Sequence, residues 1–183
     1  PEGEGLLSTD LVALDVGGTH ARFALASIGD DGAITLGEPV TLNTDDYASL
    51  QTAWEEFERR CQCAVPRAVS IAIAAPIVGE TVRMTNNSWI FHTLAIDQQL
   101  GVDRVTLIND FGAVAHAVAR APEDQLIHIT GPDKPLPKRG TVSVIGPGTG
   151  LGVAHFHRHD GGYHVQPTEG GHIDFAPLDA VDD

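Results

Sequence analysis

The chain has 183 residues and a formal net charge of −14, which comes from 25 acidic and 11 basic side chains. A surface this acidic repels phosphate backbones and anionic lipid head groups, so we expect neither general nucleic-acid binding nor binding to a membrane surface. Hydrophobic residues make up 42% of the chain, which is enough to bury a core in one domain or two small lobes and argues against disorder.

The first predicted elements are two strands joined by a glycine turn. Residues 11–16 (LVALDV) and 21–27 (ARFALAS) read as strands, and the Gly17-Gly18-Thr19-His20 segment between them predicts a hairpin. Residues 33–42 (AITLGEPVTL) predict a third strand.

A helix is predicted at residues 46–60, with Thr44 or Asp45 as its N-cap. Apolar residues recur there at helical spacing, namely Tyr47, Leu50, Trp54, Phe57 and Cys61. Cys61 and Cys63 lie too close in sequence for a disulfide between them to stabilise the fold, and such a low number of cysteines is typical of a protein in a reducing cytoplasm.

The central part of the chain alternates between strands and helices. Strands are predicted at 68–76, 81–86 and 103–110, and a short helix is predicted to end at Gly101. A further helix is predicted at 111–121, with Asp110 available as its N-cap. One face of it carries Phe111, Val114, Ala115 and Val118.

After this helix the sequence predicts a strand at 125–130, a polar loop at 131–140 and a second hairpin from 141–146 and 151–158. The two hairpins are similar in sequence: at one constant offset, Gly18, Thr19 and Ala24 align with Gly148, Thr149 and Ala154. This similarity predicts a duplicated architecture with one phosphate-binding turn in each half, although glycine hairpins also resemble each other by chance.

The first glycine turn has the chemistry of a phosphate site. Gly17 and Gly18 let the backbone approach a phosphate closely and turn N–H groups towards it, and the Thr19 hydroxyl adds a donor. A carboxylate beside a phosphate needs an intervening cation, so Asp15 is a candidate Mg²⁺ ligand, directly or through water. An ordinary hairpin turn with an exposed aspartate is the alternative.

The second glycine turn has four glycines in the seven positions of 146–152. Close approach to a ligand is one reason for so many glycines, and a tight, bulged hairpin is the other. With both turns present, we expect a nucleotide phosphate to be held between two lobes.

Polar residues at three further places are candidate functional groups. Asn109-Asp110 stands where a strand ends and a helix begins, so Asp110 is either a general base or only a helix cap. Glu169 and His172 suit a polyhydroxylated ligand, or are simply solvated. The alternating residues His155, His157 and His159 are interpreted as an exposed strand face rather than a metal site.

Five segments together resemble the bacterial glucokinase family of the sugar-kinase superfamily. In chain order they are LDVGGTHARFAL, AIAAPIVGETVRMTNNSW, LINDFGAVAHA, IGPGTGLGVAH and EGGHIDFAP, and they lie between about residue 11 and residue 177. The resemblance implies an α/β fold of the actin-like ATPase (ribonuclease H-like) type, with a first lobe at 8–121 and the beginning of a second lobe at 122–183. It also implies a longer protein, of which this chain is an N-terminal fragment that we expect to be inactive alone.

The resemblance further implies a glucokinase activity, in which ATP with Mg²⁺ phosphorylates the 6-hydroxyl of D-glucose as the first step of glycolysis. It implies that Asp110 is the catalytic base and that the sugar is bound by Asn109, Asp110, Glu169 and His172. The phosphate-binding residues it implies are Leu14, Asp15, Val16, Gly17, Gly18, Thr19, Gly148, Thr149 and Gly150. Asn86 and Trp89 border the sugar site, and His20 stands where many members have Asn. A kinase for another hexose, a nucleotide-binding ATPase or regulatory module, and a homodimer stay open.

Overall fold

The computed structural model describes residues 9–84, 86–147 and 150–172. The chain forms two compact units, of which one ends at Asp110 and the other begins at Phe111. Within the described ranges no helix combines the length and the apolar character needed to cross a bilayer. The strands are β1 (Thr9–Val16), β2 (His20–Ile28), β3 (Ile34–Leu36), β4 (Val40–Asn43), β5 (Ala68–Ile73), β6 (Thr81–Arg83), β7 (Ile90–His92), β8 (Arg104–Asn109), β9 (Gly140–Pro147), β10 (Leu151–His159) and β11 (Gly162–Thr168). The helices are α1 (Leu50–Cys61), α2 (Ile96–Leu100) and α3 (Asp110–Arg120).

The first unit is built on a mixed sheet with the strand order β3-β2-β1-β5-β8, in which β4 also pairs with β2. The predicted hairpin is confirmed, because β1 and β2 pair antiparallel on either side of the glycine turn. β5 and β8 then add parallel to β1. A separate antiparallel pair is formed by β6 and β7.

One face of this sheet forms the core of the first unit. The period-2 pattern of β1 buries Val12, Leu14 and Val16 on that face. Helix α1 packs there, and the Phe57 ring stacks on Phe23 of β2 with ring centroids 5.0 Å apart. The core holds β1 and β5 rigidly, and these strands carry the loops described below.

Helix α1 begins at Leu50, so the predicted start at residue 46 is wrong. Ser49 caps the helix: its hydroxyl accepts from the Thr52 N–H at 3.3 Å and its own N–H donates to Thr52 Oγ1 at 3.2 Å. This reciprocal capping box satisfies two N–H groups that the helix itself cannot pair. Thr44–Asp46 forms a separate 3-10 turn, which frees Thr44 for another contact.

Three other predictions differ from the structure. The strand predicted at 33–42 is two short strands, β3 and β4, which pair with different parts of β2. Strand β7 was not predicted. The segment at 125–130 was predicted as a strand, but it forms the end of a short 3-10 turn and then an exposed loop, in which Ile127 is 89% exposed.

The second unit is a three-stranded antiparallel sheet, in the order β11-β10-β9, together with α3. Its core joins Ala115 and Ala119 of α3 to Val144, Ala154 and Phe156 of the sheet. Because these residues pack together, α3 from Phe111 onwards groups with the second compact unit, whereas the lobe boundary at residue 121 stays a prediction. Val114, which the sequence places on one face with Phe111 and Ala115, is 43% exposed.

The two hairpins share a topology. In each unit an antiparallel hairpin is extended by a third antiparallel strand beside its second strand, β3 and β4 beside β2 and β11 beside β10. The strand pairing is therefore repeated as well as the sequence around the glycines.

Candidate active site

The parallel strands of the first unit end together at one edge of the sheet. Val16 of β1 pairs in register with Ile73 of β5, and Ile73 pairs with Asn109 of β8. Gly17 and Asp110 each follow this row directly in sequence. Because neighbouring strands lie about 4.8 Å apart, the backbone of Asp110 starts roughly 10 Å from the glycine turn. The structure therefore brings the two sequence motifs to the same edge, where open α/β sheets place their ligands.

The glycine turn is held by hydrogen bonds to its carbonyl oxygens. Asn87 Nδ2 donates to Gly17 O at 3.2 Å, and Thr44 Oγ1 donates to Gly18 O at 2.8 Å. The Thr44 N–H also donates to Thr19 O at 2.9 Å. Three consecutive carbonyl groups are thus bonded to the protein and fixed in orientation.

Two amide groups of the same turn differ from its carbonyl groups. In the part of the chain that the structure describes, no hydrogen bond uses the N–H of Gly18 or of Thr19. Gly18 is partly buried and Thr19 is exposed. Successive backbone N–H groups in a turn are able to bind an anion.

Thr44 and Asn87 are functional candidates that the sequence did not reveal. Thr44 is 2% exposed, and it is the buried polar side chain found among the described residues. Asn87 also accepts from the Trp89 N–H at 2.8 Å, so one side chain links the turn to the loop before β7. The Asn87-Ser88-Trp89 sequence permits this local bond, but no local pattern identifies Gly17 as the distant partner.

Gly18 has a steric reason to be glycine. A Cβ atom placed there would lie 2.7 Å from Asn86 Cβ, which is closer than real Cβ contacts. At Gly17 the nearest atom to such a Cβ, the His20 carbonyl oxygen, lies at 3.5 Å, an ordinary contact. The loop at 86–89, which the family resemblance places beside the sugar, therefore packs directly on the turn.

Three predicted phosphate-site residues lie on β1 itself. The side chains of Leu14 and Val16 point into the core and are 3% and 0% exposed, so only their backbone groups are candidates for ligand contact. Asp15 points to the opposite face, where Arg22 NH1 lies 3.0 Å from Asp15 Oδ2 and both side chains are about half exposed. A pair this exposed is worth only about 0–1 kcal/mol, so a metal ion can compete for the carboxylate.

Asn109 and Asp110 occupy the junction of β8 and α3. Asn109 Nδ2 donates to Ala75 O at 3.3 Å, which ties the end of β8 to the segment after β5. Asp110 is partly buried and is the first residue of α3. A negative charge there is favoured by the positive end of the helix dipole.

Phe111 accounts for two glycines of the second turn. Its ring packs so closely on Gly146 and Gly152 that a Cβ atom at either position would overlap it. These two glycines therefore have a packing role, which the sequence analysis did not foresee. Of the predicted phosphate-binding residues here, Gly150 is exposed with open space around it, and Gly148 and Thr149 lie outside the described residues.

Glu169 lies in the second unit, directly before the 3-10 turn Gly170–His172, whose last residue is the predicted sugar-binding histidine. The Glu169 side chain is exposed. The Thr168 hydroxyl donates to Val153 O at 3.2 Å and accepts from the Gly170 N–H at 3.2 Å, which fixes the backbone on both sides of Glu169.

The alternating histidines lie on the face of β10 opposite the buried Ala154 and Phe156. His155 Nδ1 and Ser143 Oγ are 3.0 Å apart, and His157 Nδ1 and Thr141 Oγ1 are 3.1 Å apart. Among the described residues no three His, Cys, Asp or Glu side chains form a group that suits a metal ion. The predicted strand face is confirmed by the alternation of the three histidines along β10.

Sequence comparisons identify the family. The family model described as glucokinase matches residues 11–183. A glucokinase of Zymomonas mobilis is 51% identical over 95% of this chain, and one of Saccharophagus degradans is 37% identical over 91%. The match covers 54% and 51% of those proteins, so the chain spans about half the length of these relatives.

Solved structures show the same fold. A glucokinase from an Antarctic psychrotroph is 30% identical and superposes with a TM-score of 0.79 over 95% of this chain and 54% of its own. A Balamuthia mandrillaris glucokinase in complex with glucose is 24% identical, with a TM-score of 0.69 over 98% of this chain and 52% of its own. The chain thus has the expected actin-like ATPase fold of sugar kinases.

Proposed function

Because the chain belongs to the glucokinase family, we propose that the protein of which it forms part transfers the γ-phosphoryl group of ATP to the 6-hydroxyl of D-glucose. The observation that carries this proposal is the common sheet edge in the first unit. There the N–H groups of Gly18 and Thr19 have no hydrogen-bond partner among the described residues. Asp110 follows β8, which is separated from β1 by β5 alone. An anion site and a carboxylate about 10 Å apart match a phosphate chain and a proton acceptor.

The first glycine turn is proposed to bind phosphate oxygens of ATP. The N–H groups of Gly18 and Thr19 would donate to these oxygens, and the bonds from Thr44 and Asn87 keep the carbonyl groups turned away from the anion. Such preorganised donors stabilise developing negative charge without having to reorient during the reaction. Gly148, Thr149 and Gly150 are proposed as the corresponding contacts of the second turn.

Mg²⁺ fits this edge through a single carboxylate. The ion keeps several water ligands and takes one or two carboxylates together with phosphate oxygens, and Asp15 supplies one half-exposed carboxylate. We propose that Asp15 holds the ion directly or through water while Arg22 moves aside. When bound, the ion would neutralise charge on the phosphoryl oxygens.

Asp110 is proposed as the catalytic base. Its carboxylate would accept the proton of the sugar 6-hydroxyl while that oxygen attacks the γ-phosphorus and the bond to ADP breaks. Asn109 is proposed to hydrogen-bond the same sugar, as are Glu169 and His172 of the second unit. We place this reaction in the cytoplasm, as the first step of glycolysis.

The test is a kinase assay on the complete gene product that contains these residues. In Asp110→Asn we expect kcat to fall by about 10²–10⁴-fold, because the amide cannot accept the proton. Calorimetry should still detect glucose binding by this variant. Asp97→Asn, which alters an exposed carboxylate on α2, is the control and should keep normal turnover. Near-normal turnover in Asp110→Asn would remove Asp110 from the mechanism.

A panel of sugars tests the substrate assignment separately. We expect kcat/KM to be highest for D-glucose among glucose, fructose, mannose and N-acetylated hexosamines. A higher value for another hexose would change the substrate but leave the kinase chemistry in place. ATP hydrolysis without transfer to any sugar would favour a nucleotide-binding module instead.

A further inference from the structure

The end of helix α1 brings two thiols together. The helix ends at Cys61, and the next residue, Gln62, has φ 53° and ψ 24° in the left-handed region. Gln62 has the one positive φ found among the non-glycine residues that the structure describes. A residue with a Cβ atom enters this region at an energetic cost, so the conformation is a specific feature of this turn.

This conformation shortens the distance between the two cysteine backbones. Two fully extended residues span about 6.6–7.2 Å, which lies around the upper limit for a disulfide. Disulfides join Cα atoms about 4.4–6.8 Å apart. The compact turn at Gln62 therefore favours a distance between the Cα atoms of Cys61 and Cys63 that lies within the disulfide range.

The two thiols differ in exposure. The Cys61 side chain is partly buried and packs against the core of the first unit, whereas Cys63 is exposed. A hydrogen bond with the Cys63 thiol, followed by burial, raises the pKa of the Cys61 thiol. Cys63 is therefore the thiol that is more accessible to an oxidant, and Cys61 is a second thiol two residues away.

We propose that Cys61 and Cys63 are a modification site, at which a peroxide produces a reversible intramolecular disulfide. In the first step the Cys63 sulfur attacks hydrogen peroxide: an S–O bond forms, the O–O bond breaks, and the thiol proton leaves in a water molecule. In the second step the Cys61 sulfur attacks Cys63: the S–S bond forms, the S–O bond breaks, and the Cys61 proton leaves in a second water molecule. Two thiols are oxidised and one peroxide is reduced to two waters. This site is separate from the proposed kinase chemistry.

Thiol counting after peroxide treatment tests the proposal. In the untreated complete protein, thiol labelling followed by peptide mass analysis should find both Cys61 and Cys63 reactive. After treatment we expect neither cysteine to be labelled, the peptide that contains them to be lighter by two hydrogens, no covalent dimer through this site, and recovery of both thiols with dithiothreitol. The single variants Cys61→Ser and Cys63→Ser cannot form the internal bond, so they should give dimers or sulfur acids instead. Sulfur acids or dimers as the main products of the unaltered chain would overturn the proposal.

Substitutions of the middle residue test the geometry. Gln62→Gly adopts the left-handed conformation freely, whereas a β-branched residue in Gln62→Val resists it. The rate of disulfide formation should therefore be at least as fast in the glycine variant as in the unaltered chain, and several-fold slower in the valine variant. Circular dichroism checks that both variants keep their helix content. Equal rates in the two folded variants would show that the turn does not position the thiols.

Discussion

Thr44→Val isolates the hydrogen bond that holds the middle of the phosphate-binding turn. Valine has nearly the same shape as threonine, but it lacks the hydroxyl that donates to Gly18 O at 2.8 Å. The second bond from this position, from the backbone N–H to Thr19 O at 2.9 Å, should survive the substitution. The variant therefore removes one anchor of the turn without leaving a cavity.

The size of the effect follows from burial. Removing one partner of a hydrogen bond costs about 1–3 kcal/mol when the other partner is left buried and unpaired. Thr44 is 2% exposed, but Gly18 is only partly buried, so water can reach part of the released carbonyl. We therefore expect the free energy of unfolding, measured by urea denaturation, to fall by about 1–2 kcal/mol, which is the lower part of that range. The KM for ATP of the complete protein should rise, because the Gly18 and Thr19 N–H groups lose their fixed orientation.

Two further variants control this experiment. Thr44→Ser keeps the hydroxyl and should retain most of the stability and the ATP affinity. Thr41→Val makes the same change at an exposed position of β4 and should alter stability by less than about 0.5 kcal/mol. If Thr44→Val and Thr44→Ser were equally impaired, or if neither lost stability or ATP affinity, the assignment of the hydroxyl as an anchor would be refuted.

Two further predictions concern packing and pH. Gly18→Ala should lower the free energy of unfolding by about 1–3 kcal/mol, because its Cβ would collide with Asn86. Gly17→Ala should lower the free energy of unfolding by less, and equal losses for the two variants in urea denaturation would contradict this prediction. The pKa of Glu56 is lowered to about 2, mainly by hydrogen bonds from two arginines further along α1. A lowered pKa stabilises the fold above the ordinary value of 4.5, so the stability difference between the unaltered chain and Glu56→Gln should shrink as the pH falls from 4.5 towards 2. Glu58→Gln on the same helix is the control, and a difference that grows in acid would be the adverse result.

The sequence predicts the elements that local patterns determine. The apolar residues of β1 and β2 with the glycines between them predict a hairpin, and the polar end of β8 before an apolar helical stretch predicts the junction at Asp110. In each case residues adjacent in sequence determine the geometry. These are also the positions of the main candidate residues of the first unit.

Long-range contacts are the part that the sequence does not predict. Thr44 looks like a helix cap, but Ser49 forms the capping box with Thr52 and leaves Thr44 to bond the turn at Gly18. The bond joins residues 26 positions apart, and no local pattern identifies such a partner. The glycine pattern at 146–152 is similarly ambiguous, because the packing of Phe111 on Gly146 comes from tertiary structure.

Nuclear magnetic resonance of the backbone amides tests most directly whether the first glycine turn binds phosphate. In the ¹⁵N-labelled complete protein, addition of ATP with Mg²⁺ should shift the Gly18 and Thr19 N–H resonances downfield, as new hydrogen bonds to an anion do. The Gly79 resonance, from an exposed turn after β5, should stay unchanged and serves as the control. Saturating ATP that leaves Gly18 and Thr19 unshifted while it shifts other amides would contradict the proposed phosphate site.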